Sequence, residues 1–186
     1  EIVLVTGVQT CALPILLTFN PSAVYSRIVN MVTSENGVPA ASDPMKNRGS
    51  YMAVPYGKAL SDVVIPNTVT KALRTDKYFK NDLSGFTIRE YRNYAPLQEQ
   101  IKTIKSFEKP VILVDDFLHN GQRLNYIAPL INDEGIDLHK VIVGVLTGRA
   151  LDTMKERGIS VDGAYFLPDI SIWINEHDSY PFFGGD

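Results

Sequence analysis

Two adjacent carboxylates, Asp115 and Asp116, follow the unbroken apolar run Val111-Ile112-Leu113-Val114, and close behind them come His119, Asn120, Gly121, Gln122 and Arg123. Paired acids in such a place suit sugar hydroxyls, or Mg²⁺ carried in by a substrate, because a hard cation takes oxygen ligands. A short glycine-containing loop that runs into a helix offers free N–H groups, and these favour a phosphate. Arg123 adds a guanidinium fork able to grip phosphate with two donors. Asn120 offers an amide, and His119 a ring that binds phosphate or titrates near neutral pH. A second loop, Pro55-Tyr56-Gly57-Lys58, brings another glycine and a cation. A helix-start loop beside two acids suits a phosphate, with sugar hydroxyls or substrate-borne Mg²⁺ at the carboxylates.

Those residues need a scaffold, and the pattern around them supplies one. The run 111–114 reads as a strand buried on both faces, as in a parallel sheet. Leu124, Ile127, Ala128 and Ile131 recur at helical spacing after it, and Val141 to Leu146 is a second buried strand. Upstream, Asn20-Pro21 is a helix start, Val24, Ile28, Met31 and Val32 form its apolar face, and Gly37 is its stop. Residues 38–49 read as a loop, Tyr51 to Val54 as a strand, and Pro66-Asn67-Thr68 as the start of a helix reaching about residue 75. Phe86 to Tyr91 alternates like a strand, and Leu97, Ile101, Ile104 and Phe107 mark a further helix. Leu151 and Met154 sit on a short helix ending at Gly158, with strands at 164–167 and 170–174. Strand and helix alternate, which predicts an α/β fold with a parallel sheet and helices on both faces, a Rossmann-like three-layer arrangement. Ligands of such sheets bind at the carboxyl ends of the strands, where the acids lie.

Composition narrows the choices. Lys plus Arg number 18 against 21 Asp plus Glu, a net charge of −3, so the basic excess of a nucleic-acid binder is missing. No apolar run is long enough to span a bilayer. The run Val5-Thr6-Gly7-Val8-Gln9-Thr10-Cys11-Ala12-Leu13-Pro14-Ile15 matches the in-frame translation of a common sequencing-library adapter. Residues 1–15 are therefore set aside as foreign, and residues 16–186 are expected to form one domain, a fragment of a longer protein. Cys11 is the one cysteine and falls inside that run, leaving no disulfide, thiolate or cysteine metal site in the remainder. A cytoplasmic location is the expectation that follows.

The motif centred on Asp115 and Asp116 resembles the type I phosphoribosyltransferases, in which an apolar strand leads to two acids, two apolar residues and a hydroxyl-rich glycine loop. The resemblance extends over residues 50–175. It implies a phosphoribosyltransferase-like fold and phosphoribosyl pyrophosphate, with its Mg²⁺, or a phosphorylated ribonucleotide as ligand. Asp115 and Asp116 would contact the ribose, and His119, Asn120, Gly121, Gln122 and Arg123 would wrap the 5-phosphate. Pro55, Tyr56, Gly57 and Lys58 would take the pyrophosphate, and Trp173 would stack on a base. Where the family places Thr or Ser, this chain has His119, Asn120 and Arg123, so two readings stand: a transferase that releases pyrophosphate, or a module that binds the same ligand without chemistry. A homodimer or neighbouring domains are expected as partners, with no nucleic acid and no membrane.

Blander readings stand beside these. The two acids can be a strand-end turn, or the Mg²⁺ acids of a receiver domain, although such a domain needs most of its length after them. Trp173 can be core, and Lys58, Arg89, Arg92 and Arg149 can be solvated charges.

Overall fold

The computed structural model of the protein describes residues 2–6, 15–38, 48–57, 60, 62–82, 84–170 and 172–175. In chain order the elements are β1 (Ile2–Thr6), β2 (Ile15–Phe19), α1 (Pro21–Asn36), β3 (Met52–Pro55), β4 (Val69–Thr70), β5 (Thr75–Phe79) and β6 (Phe86–Glu90). They are followed by α2 (Leu97–Lys105), β7 (Val111–Leu118), α3 (Gln122–Asp133), β8 (Leu138–Thr147), α4 (Gly148–Glu156), β9 (Val161–Leu167) and β10 (Ile172–Asn175).

The centre is a five-stranded sheet in the order β4-β3-β7-β8-β9, parallel throughout. Successive residues of its strands face opposite sides. Ala53, Ile112, Val114 and Ile142 pack against Val24, Ile28 and Val32 of α1. Met52, Val54, Leu113 and Val143 pack on the other side with Ile101 and Ile104 of α2, Leu124, Ile127 and Ile131 of α3, and Met154 of α4. Helices therefore cover both faces, and the three-layer α/β architecture predicted above is the one observed. Ile28 and Val32 are completely buried, each stabilising the packing of α1 by about 1.5–3 kcal/mol. The ends of α1 are also as predicted. Asn20 accepts hydrogen bonds from the N–H groups of Ser22 and Ala23 at 2.9 and 3.2 Å, and Gly37 closes the helix at φ 64°.

Three expectations need correction. No helix follows Pro66. Asn67 adopts φ 53°, which no α-helix allows, and Val69-Thr70 instead pairs with Met52-Ala53 as the edge strand β4. β-Branched residues beside an open sheet edge outweighed the Pro start signal. The segment after it forms β5, which pairs antiparallel with β6, so the strand read at Phe86 belongs to a separate hairpin. Phe107 lies beyond the end of α2 and is 42% exposed, hence not core.

Residues Ile2–Thr6, set aside as foreign, lie as a strand between β10 and β2 in an antiparallel three-stranded sheet. An apolar, β-branched run pairs with any edge it is offered, whatever its origin. That sheet meets the main one through Leu17 and Phe19, which pack on Phe117, Val145 and Ile170. Residues 39–47, most of the loop expected at 38–49, lie outside the described residues. Among the described residues no helix is long and apolar enough to cross a membrane.

Candidate functional site

The order of the strands locates the site. From β3 the chain moves outward to β4, and from β7 it moves the other way to β8 and β9. The reversal lies between β3 and β7, and a crevice opens at the carboxyl ends of the two strands flanking such a reversal. β3 ends at Pro55, opposite Val114, with one further bond from the N–H of Tyr56 to the carbonyl of Val114 at 3.0 Å. β7 continues to Leu118 with only β8 beside it. Asp115 and Asp116 thus lie inside β7, not at its last residue as the sequence suggested, yet at the level where β3 stops.

Asp115 is 2% exposed. Its Oδ1 accepts the N–H of Asp116 at 2.9 Å, and its Oδ2 lies 3.4 Å from Nη1 of Arg123. Its carboxylate also lies against Gly57: a Cβ built there would stand 1.7 Å from Oδ1. Gly57 must therefore lack a side chain for Asp115 to occupy this position. Burial pushes the Asp115 carboxyl well above the ordinary carboxylate range, the charge of Asp116 pushes the same way, and Arg123 opposes both. Asp116 keeps partial exposure.

The alternation of side chains slips at this level. Leu113 and Val143 face α3, whereas Phe117 and Val145 are buried with Ile170, and Leu118 and Leu146 return to the α3 side. The slip falls at Asp116 and Gly144, where a Cβ on Gly144 would come within 2.5 Å of the Asp116 carbonyl and 2.4 Å of Val24.

The loop after β7 is shaped by Gly121, at φ 66°, which stands at the N-cap of α3. Among the described residues no side chain caps that helix, and no acid occupies its first turn, a setting that suits an anion near that end. His119 and Asn120 are half-buried, Gln122 is exposed and Arg123 is buried. Nδ1 of His119 lies 3.1 Å from Oγ1 of Thr147, which also accepts the N–H of Ala150 at 3.3 Å and so caps α4. Thr147 ties the ends of β7 and β8 together; the reading of the sequence passed over it, although a Thr between a buried strand and a helix is an N-cap signal.

On the β3 side, Tyr56 has a completely buried ring within the core, so only its backbone and Gly57 border the crevice. The Tyr56 carbonyl accepts the hydroxyl of Thr75 at 2.7 Å, a support that no local pattern announces. Lys58 lies outside the described residues. Trp173 is placed by its backbone, opposite Leu4 in the three-stranded sheet, and its ring lies outside what is described. Arg149 is exposed in the first turn of α4, and Arg89 lies over the ring of Tyr78 in the hairpin. Asp115, Arg123 and Gly57 therefore meet at the carboxyl ends of β3 and β7, with Asp116 beside them on β7 and residues 119–122 in the loop that follows it. A cavity of about 420 Å³ lies elsewhere, at the outer edge of β4, bordered by Asp62, Arg74, Tyr94 and Gln100.

No family model matches the chain, and no curated protein matches it. Among solved structures it is similar to an adenine phosphoribosyltransferase from Thermoanaerobacter pseudethanolicus, at 12% identity and a TM-score of 0.42, covering 80% of this chain and 83% of that one. It is similar to a purine phosphoribosyltransferase from Pyrococcus horikoshii at 13% identity and a TM-score of 0.44, covering 88% and 95%. The orotate phosphoribosyltransferase of Mycobacterium tuberculosis, in complex with Fe(III) dicitrate, aligns at 12% identity and a TM-score of 0.44, covering 89% and 90%. The likeness is loose and assigns neither substrate nor activity.

Proposed function

We propose that the crevice between β3 and β7 binds phosphoribosyl pyrophosphate with its Mg²⁺, or a phosphorylated ribonucleotide, and transfers the phosphoribosyl group to an acceptor. The observation that carries this reading is the convergence of two acids, an uncapped helix start and a buried glycine turn at the point where the strand order reverses. The acid pair Asp115 and Asp116 forms the ribose side of the crevice, and the backbone of the loop from His119 to Arg123 with the start of α3 takes the 5-phosphate. Tyr56-Gly57, followed by Lys58, takes the pyrophosphate. Mg²⁺ arrives with the substrate, held by its phosphates, and would lie near the acid pair rather than on it. The acceptor attacks the anomeric carbon, the bond from that carbon to pyrophosphate breaks, and pyrophosphate leaves with the electron pair. Positive charge grows on the ribose ring and negative charge on the leaving group. The chain's contribution is positioning and fixed electrostatics rather than a nucleophile of its own.

A second reading, binding without transfer, is favoured by one feature of the loop: His119, Asn120 and Arg123 replace hydroxyls, and Arg123 lies on Asp115. Pyrophosphate release across a panel of nucleobase acceptors separates the two. Transfer predicts release that disappears in Asp116→Asn while the circular-dichroism spectrum is kept. Undiminished release in that variant would sink the assignment of the acids. Saturable binding with no release for any acceptor would leave the binding module.

A further inference from the structure

Arg123 stands where a phosphate ligand is expected, yet its side chain is only 7% exposed and its Nη1 lies 3.4 Å from Asp115, whose side chain is 3% exposed. Asp115 in turn accepts the N–H of Asp116 and rests on the α-carbon of Gly57. One carboxylate therefore joins three segments: the strand β7, the first turn of α3 and the loop after β3. A guanidinium that served a ligand in open crevice would keep its donors toward solvent. Here Nη1 is turned to a buried acid instead, and buried charge pairs are costly to break.

We propose that Arg123 is a positioning residue: it clamps Asp115 against Gly57, sets the spacing of the two crevice loops, and leaves Asp116 as the acid presented to a ligand. The assignment of a ligand rests on the function proposed above; the clamp itself does not. Burial alone would drive Asp115 toward its neutral form, and the Arg123 charge restrains that drift.

Two measurements test it on the full chain. In the ligand-free protein, the ¹³C signal of the Asp115 side-chain carboxyl is followed with pH. Arg123→Met moves the midpoint of Asp115 upward, and Arg123→Lys brings it back toward the parent. A midpoint that is the same in the parent and in Arg123→Met overturns the clamp, whether or not any ligand binds. The second measurement is the affinity for phosphoribosyl pyrophosphate with Mg²⁺ in Arg123→Met, Asp115→Asn and the pair together. Residues that act through one another do not add their effects. Each single variant loses about tenfold, and the pair loses no more than about tenfold. Losses that multiply to about a hundredfold make Arg123 an independent phosphate contact and overturn the proposal. Failure of the parent chain to bind removes the ligand reading alone, and the carboxyl titration still decides the clamp.

Discussion

Gly57→Ala is the sharpest perturbation available to the crevice. The added methyl would stand 1.7 Å from Oδ1 of Asp115 and 2.6 Å from its Cγ. Carbon and oxygen do not approach within 3.0 Å, so the carboxylate or the loop must move by at least 1.3 Å, the difference between 3.0 and 1.7. The side chain cannot step aside freely, because the Asp116 N–H and Arg123 hold its two oxygens. Overpacking of this kind costs about 1–3 kcal/mol. A loss of about 2 kcal/mol lowers the melting temperature of a chain this size by roughly 4–8 °C. Urea unfolding of Gly57→Ala is compared with the same substitution in an Asp115→Ala/Arg123→Met background. There the carboxylate is gone and no buried cation is stranded, so Gly57→Ala costs less than about 0.5 kcal/mol if the clash is the whole effect. An equal loss in both backgrounds would refute the contact between Gly57 and Asp115 as the cause.

Other outcomes follow from the same geometry. Gly121→Ala places an L-residue at φ 66° with its methyl 3.0 Å from Cε of Met154, and thermal unfolding should show a loss of about 1–2 kcal/mol. Hydrogen bonds from His139 and then Lys140 hold the Glu35 carboxyl below its ordinary value. A carboxyl depressed in the folded state contributes stability that is present above its unfolded value and lost as pH falls through the folded one. Glu35→Gln should therefore flatten the loss of stability in acid below about pH 5, measured by urea unfolding at stepped pH. An unchanged acid limb would contradict the role given to that cluster.

Local signals carried far in this chain where a single residue type sets the backbone. Asn20-Pro21 and Gly37 bound α1 because a cap, a fixed φ and a left-handed turn are properties of those side chains themselves. The run 111–114 forms a buried strand because nothing but a core accepts four such residues together. Pro66 misled because the outcome there depends on a distant neighbour: Val69 and Thr70 find Met52 and Ala53, a pairing no window around Pro66 contains. The same limit explains the hairpin, in which Asp76 and Lys77 interrupt any apolar alternation and only the register with Arg89 and Ile88 makes β5 a strand. At the site, the residue types suggested carboxylate and phosphate chemistry, and the fold sets Asp115 in contact with Arg123 and Gly57. The orientation of Arg123 was hidden, since a guanidinium after a glycine loop reads alike whether it faces solvent or a carboxylate below. Gly57 appeared as a loop glycine, whereas its contact with Asp115 is a matter of tertiary packing.

The most direct test of the central claim is isothermal titration of phosphoribosyl pyrophosphate and Mg²⁺ into the full chain. Saturable binding that disappears in Asp115→Asn/Asp116→Asn, with the fold retained, is the predicted result. A folded chain that binds nothing, or one whose binding survives that double substitution, would contradict a phosphoribosyl site at the β3–β7 crevice.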